Sequence, residues 1–289
     1  MHNQLILNGI IAGSIYALIA IGYTMIYGIG KFINFAHGEV CLAGAFIYYT
    51  FHIQLGISAL PSAIISIILV AIVGLLLERI AYRPFRDKSH FVPLINTIGV
   101  SIFLQSLYMM VFGVNAKSLN TSNEIAPGLA FAGAVITPIQ IIILSTTLIL
   151  MLFLMLFLKR SRMGKALRAT SEDREIASVL GVNTNTTSAV TFAIGAGLAA
   201  VAGILIGYDQ NITPSMGGVT GIKAFTAAVL GGIGSVPGAV VGGLSIGIIE
   251  TYLSFYISNG YKEGVIFLIL LLLLFFRPNG ILGKKWSRF

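Results

Sequence analysis

Charge is what this sequence has least of. Of its 289 residues only 10% are Asp, Glu, Lys or Arg, against about 25% in an ordinary soluble domain. That is too few to cover a water-facing surface. Cysteine is nearly absent too: Cys41 stands alone, which excludes an intrachain disulfide and any cysteine-based metal site. Catalytic signatures are missing as well. Gly28-Ile29-Gly30-Lys31 looks like the end of a phosphate-binding loop, but Met25 and Phe32 stand where its leading glycine and its magnesium-binding hydroxyl would be. Gly195-Ala196-Gly197-Leu198-Ala199-Ala200 mimics a dinucleotide fingerprint, yet it follows no strand and lies inside an apolar run. HExxH does not occur, and the GxSxG match Gly243-Leu244-Ser245-Ile246-Gly247 lies inside an apolar run that follows no strand. The sequence therefore predicts no catalytic residue, no metal site and no enzyme.

What is present is apolar: 56% of residues are hydrophobic and the mean hydropathy is +0.93. The apolar residues come in nine segments, Leu5–Ile29, Phe32–Phe51, Ile57–Leu77, Phe91–Gly113, Thr137–Leu158, Thr186–Tyr208, Ile222–Ile233, Pro237–Ile257 and Gly264–Phe276. A run of about 18 apolar residues spans the hydrocarbon layer as a helix, and lipid leaves a spanning backbone no other partner than itself. The expected fold is an all-α, polytopic membrane bundle of eight or nine spans, some broken or re-entrant. The seventh segment is the candidate for re-entry. Residues 1–289 read as one transmembrane domain, with an external loop at 114–136 and a cytoplasmic loop at 159–185. Met1–Gln4 lacks the basic start of a secretory signal, so the first segment is expected to remain as a span.

The net charge of +8 is arranged for a membrane rather than for nucleic acid. Basic residues cluster at Arg79–Lys88, Lys159–Arg174 and Arg277–Arg288, each directly after an apolar run. Placing these and Lys31 in the cytoplasm puts 15 of the 18 Lys and Arg there, as the positive-inside rule requires. Nine crossings then set the N-terminus outside and the C-terminus inside. Lys117, Lys223 and Lys262 fall on the outer side.

Three polar features interrupt this pattern. The inner loop holds Thr170 to Gly181, in which Thr170 or Ser171 would cap a helix and Glu172, Asp173 and Glu175 would suit its positive end. Ile176, Val179 and Leu180 then form one apolar stripe and Gly181 stops the helix. About two turns are too short to stand alone. Such a helix rests on lipid headgroups or docks in a groove of a soluble partner, and its acidic start disfavours an anionic membrane.

The second feature is charge inside spans. Glu39, within Asn34-Phe35-Ala36-His37-Gly38-Glu39, would lie about 12 Å deep on a helix continuous from Lys31; Glu250 is the other. Each would cost about 2.5–3.5 kcal/mol or more against lipid, so each faces the bundle interior or a water-filled path. The third feature is the glycine-rich break Gly231–Gly238. Irregular backbone at membrane depth survives only where it is buried or lines a cavity, and paired breaks mark transporter pathways. The Asn34–Glu39 and Gly231–Gly238 stretches make such a pair, although no internal sequence repeat is evident. The four-residue glycine spacings Gly9/Gly13, Gly203/Gly207, Gly238/Gly242 and Gly243/Gly247 point to close helix packing.

Asn34–Glu39, Thr97-Ile98-Gly99-Val100-Ser101 and the stretch from Gly221 to Ser235 resemble segments of the LivH-type permeases, the membrane subunits of bacterial branched-chain amino acid ABC importers. The likeness runs from the first span to Arg277-Pro278-Asn279-Gly280, and Ala177–Asn183 resembles that family's coupling segment. The resemblance implies a multi-pass protein of the bacterial inner membrane with a cytoplasmic C-terminus. It implies a LivM-type second permease (or a second copy), two cytoplasmic ATPase subunits and an extracytoplasmic binding protein. ATP would be used by those partners, with no cofactor on this chain. Arg168, Glu172, Asp173, Glu175, Ile176, Leu180 and Gly181 would contact the ATPase. Asn34, His37, Glu39, Thr226, Gly231, Gly234 and Ser235 are the candidate translocation path. Branched-chain or other small neutral amino acids, amides and urea are the substrates such relatives carry. The alternative is a self-contained secondary transporter or channel in which Glu39 and Glu250 couple to ions.

Overall fold

Where lipid offers the backbone nothing, the apolar runs coil into helices. The computed structural model of the protein describes residues 1–86, 88–89, 91–119, 128–131, 133–257, 260–277 and 280–283. Residues 120–127 of the external loop, Pro278 and Asn279, and Lys284, Lys285 and Arg288 of the third basic cluster lie outside them. The helices are α1 (His2–Gly30), α2 (His37–Tyr49), α3 (Ala59–Leu76), α4 (Phe91–Phe112), α5 (Pro138–Arg160), α6 (Arg162–Glu172), α7 (Arg174–Val179), α8 (Thr184–Asp209), α9 (Met216–Gly231), α10 (Val236–Tyr256) and α11 (Lys262–Phe276). Wider π-type turns extend α2 through Thr50–Gln54 and α3 through Leu77–Tyr82. A small antiparallel hairpin pairs β1 (Leu129–Phe131) with β2 (Ala134–Ile136).

The all-helical membrane bundle is as expected. Among the described residues six helices are long and apolar enough by themselves to cross a bilayer, fewer than the eight or nine expected spans: α1, α3 with its extension to Phe85, α4, α5, α8 and α10. The other three apolar segments are shorter for identifiable reasons. α2 and α9 each start only after an extended stretch, and α11 has 15 residues. The helix running on from Lys31 to Glu39 does not form. α1 closes at Lys31, whose φ of 55° ends the helix in the left-handed region, and the chain stays non-helical to Ala36.

Contacts sort the loops onto two sides. On one side Gln4 exchanges hydrogen bonds with Val135, and Lys117 pairs with Ile212. On the other, Lys31 Nζ donates to the Ser171 carbonyl at 2.8 Å, Arg86 donates to Asn185 at 2.9 Å, and Ile281 and Leu282 donate to Leu230 and Gly231. The Lys and Arg of the described basic clusters gather on this second side.

The topology contains a relation that the sequence hides. α8–α11 repeat α1–α4 with the direction reversed: α3 packs on α8 as α10 packs on α1, and α4 meets α2 as α11 meets α9. The stretch Lys31–Ala45 aligns with Gln210–Ala224, sharing only Ile33/Ile212, Gly38/Gly217, Val40/Val219 and Ala45/Ala224. Helices α5–α7 join the two sets. The glycine spacings supply the contact surfaces. Gly9 and Gly13 of α1 lie on Gly243, Leu244, Gly247 and Ile248 of α10; a Cβ on Gly13 would sit 2.7 Å from the Leu244 backbone, and one on Gly247 would sit 2.2 Å from Gly13. Large side chains of α3, α4, α5 and α11, among them Ile95, Phe103, Phe153 and Phe275, face outward, as a lipid-covered surface requires.

Candidate functional site

Two interrupted helices meet inside the bundle. The first interruption turns at Asn34, where the His37 N–H donates to the Asn34 carbonyl at 3.1 Å and the Asn34 side chain accepts from Ala36 N–H. Tyr82 anchors the same side chain from α3's extension at 2.7 Å. The second interruption repeats the turn: Met216 N–H donates to the Thr213 carbonyl at 3.2 Å. α2 and α9 therefore begin in the interior and run to opposite sides. Their first turns cross at Gly38 and Gly217, where a Cβ on Gly38 would stand 2.1 Å from the Gly217 carbonyl. Only glycine fits.

Asn34, His37, Glu39 and Thr226 are all buried. The first three gather at this crossing. His37 packs edge-on to Tyr23 with ring centroids 4.8 Å apart and lies against Gly22. The Glu39 carboxylate lies against Gly217 and faces the Gly218 N–H, while Tyr108 of α4 donates to the Glu39 carbonyl at 2.9 Å. Thr226 sits further along α9, its hydroxyl spent on the Ile222 carbonyl. A small, mainly apolar cavity lies on either side of the crossing. One is lined by Cys41, Leu42, Ile206, Ile212 and Thr220, the other by Tyr23, Tyr27, Phe32, Asn34 and Phe225.

Gly231, Gly234 and Ser235 are not part of this cluster. They form the turn from α9 to α10 on the Lys31 side, with Gly234 exposed and Ser235 capping α10 through the Gly238 N–H at 3.1 Å. The break that matches Asn34–Glu39 is thus 210–215, not Gly231–Gly238. Two helices of opposite direction need a tight turn, and glycine supplies it there.

Lys223 also differs from expectation. α9 starts at Met216 rather than near 222, which places Lys223 two turns inside the helix and buries it. Its Nζ donates to Glu250 Oε1 of α10 at 2.6 Å. Tyr16 of α1 donates to Glu250 Oε2 at 2.6 Å, and Lys262 of α11 adds a 3.5 Å contact. One carboxylate thereby ties four helices together. An acidic and a basic residue 27 positions apart, both within apolar runs, was the signal available in the sequence.

The loop at 159–185 is two helices rather than one. Thr170 is no cap; it is buried in the last turn of α6 and bonded to the Ala166 carbonyl. α6 ends at Glu172, and Asp173 caps α7 by accepting from Ile176 N–H at 2.8 Å. Arg168 and Glu175 are exposed on these helices. Ala177 packs inward, while Ile176, Val179 and Leu180 are 59%, 87% and 75% exposed. Gly181 ends α7 with φ 85°, the stop expected of it. The half-buried Lys31 links this pair to the end of α1, and its burial lowers the ammonium pKa.

Known proteins share this chain's sequence along almost its full length. It is 46% identical to the high-affinity branched-chain amino acid transport system permease protein BraD of Pseudomonas aeruginosa, over 97% of this chain and 95% of that one. It is 44% identical to LivH of Escherichia coli over the same shares, and 28% identical to a probable branched-chain amino acid transport permease protein LivH of Methanocaldococcus jannaschii. Among solved structures, PsaBC from Streptococcus pneumoniae in complex with Fab aligns over 96% of this chain and 92% of that one at 16% identity and a TM-score of 0.48, too loose a likeness to argue from. Residues 5–274 match the family described as branched-chain amino acid transport system, permease component. The chain belongs to that family.

Proposed function

We propose that this chain is the membrane subunit of an ABC importer that carries branched-chain or other small neutral amino acids across the bacterial inner membrane. The observation that carries the reading is α7. A six-residue helix presents Ile176, Val179 and Leu180 to solvent on the side where Lys and Arg gather. Such a helix gains by seating in a groove on a soluble partner. In this reading the partner is one of two cytoplasmic ATPase subunits, and Arg168, Glu172, Asp173, Glu175, Ile176, Leu180 and Gly181 form the contact. Lys31 links the contact to α1 and so to the crossing of α2 and α9. ATP binding by the partners then shifts the population between conformations of the bundle.

The Lys-rich side is cytoplasmic in this proposal, by the positive-inside rule. The six long helices with α2, α9 and α11 make nine crossings, the N-terminus outside and the C-terminus inside. A LivM-type permease or a second copy completes the membrane unit, and an extracytoplasmic binding protein selects the solute. The path runs past Asn34, His37 and Glu39. The buried Lys223–Glu250 pair favours a second reading, an ion-coupled transporter that works alone, but Lys223 and Tyr16 already engage both Glu250 oxygens.

Affinity purification of the tagged chain from native membranes in mild detergent decides between them. Co-purifying ATPase subunits and a second permease support the importer. A lone chain that catalyses ion-driven uptake in liposomes overturns it.

A further inference from the structure

We propose that Glu39 is a positioning residue: one carboxylate that serves as the shared N-terminal cap of both interrupted helices and holds their crossing closed. This rests on the permease reading and adds the group that holds the crossing together. Neither helix caps itself, since Ala36 and Ser215 make no side-chain bond to the first turns of α2 and α9. Each helix start carries about half a positive charge on unbonded N–H groups. Gly38 and Gly217 bring the two starts into backbone contact, so like partial charges face each other in the buried interior. Glu39 stands between them. It belongs to the first turn of α2, and its side chain crosses to α9, where a Cβ on Gly217 would be 2.4 Å from Oε2.

The residue is 1% exposed and, among the described residues, no Lys or Arg pairs with it. The two helix ends are its counter-charge. Among the described residues Oε2 has no hydrogen-bond partner, which leaves the carboxylate less tightly held than the fully engaged Glu250. Any separation of α2 from α9 then parts Glu39 from one of the two ends. The reversed repeat sharpens the argument: Glu39 aligns with Gly218. A Cβ on Gly218 would meet nothing nearer than Glu39 Oε1 at 3.8 Å. If the charge matters and its parent helix does not, a carboxylate at 218 can replace the one at 39.

The test uses the complete transporter, with its partner subunits and binding protein, in liposomes, following ATP-driven uptake of labelled leucine. E39G is expected to lower uptake at least about tenfold, the loss of one well-placed charge at a helix start. G218E alone is also expected to lower it, by crowding two carboxylates together. The double variant E39G/G218E is expected to recover most of the wild-type rate. A double variant as inactive as E39G, or an E39G with undiminished uptake, overturns the proposal. Should E39G fail to assemble, E39Q keeps the shape and removes the charge; a fully active E39Q would equally refute a charge-based role. If the wild-type complex takes up neither leucine nor another labelled small neutral amino acid under these conditions, the importer reading fails, whatever the variants do.

Discussion

Removing Glu250 is expected to destabilise the bundle far more than removing Lys223, although the two form one ion pair. The reason lies in their other partners. Without Lys223, Glu250 keeps the Tyr16 hydroxyl at 2.6 Å and the Lys262 ammonium at 3.5 Å. Without Glu250, Lys223 has no second acidic partner among the described residues, and its side chain is only 10% exposed. Breaking a buried pair so as to strand one charge costs about 3–5 kcal/mol, which is the expectation for Glu250→Ala. Lys223→Met preserves the apolar stem and leaves a compensated carboxylate, so about 1–2 kcal/mol is expected, near the cost of one charge-assisted hydrogen bond. The double variant Lys223→Met/Glu250→Ala strands neither charge and should be more stable than Glu250→Ala alone. Titration of the purified protein with denaturing detergent, followed by far-UV circular dichroism, measures all three. Equal losses in the two single variants, or a double variant as unstable as the sum of both, would refute the assignment of Lys262 and Tyr16 as reserve partners.

Other expectations follow from single contacts. Ile176→Asp with Leu180→Asp alters only exposed positions, so the protein should fold normally yet lose ATPase-driven uptake and co-purification of the ATPase; normal uptake would remove α7 from the interface. Asp173→Ala deletes the cap of α7 and should cost about 1 kcal/mol locally, visible as faster amide exchange at Ile176. Gly13→Val forces a side chain into the Leu244 backbone and should sharply reduce the folded protein recovered from membranes, whereas Gly99→Val meets nothing within 4 Å and should be tolerated.

Much of the fold was legible because lipid makes a simple demand. Apolar runs had to be helices, and the starts of Val236–Tyr256 and Pro138–Arg160 lie within a residue of the expected segments. The glycine spacings foretold the seam between α1 and α10. What stayed hidden depended on contacts between distant segments. Lys223 read as lying at the outer end of its segment because its partner is 27 positions away on another helix. The break at 210–215 was missed because it carries no glycine run; it is defined by the Thr213 turn and by the backbone of Gly217 on Gly38. The stretch Gly231–Gly238 forms the turn from α9 to α10, with Gly234 exposed and Gly231 and Gly238 buried against each other. In the loop at 159–185 the apolar stripe was correct, but the helix start was placed too early, since Thr170 bonds backward to Ala166 and leaves the capping to Asp173.

Two sets of helices that run in opposite directions allow a second arrangement to be drawn from the same topology. If each set took on the form now held by the other, the same contacts would be remade with the opening on the opposite face. Such an exchange would be close to neutral in energy were the sets identical. They are far from identical: Lys31–Ala45 and Gln210–Ala224 share four of fifteen aligned positions, Glu39 stands where the other set has Gly218, and α5–α7 occur once and carry their exposed helix on one side only. In the importer reading, that asymmetry would let a partner bound at α7 favour one of the two shapes only to the extent that it binds that shape more tightly.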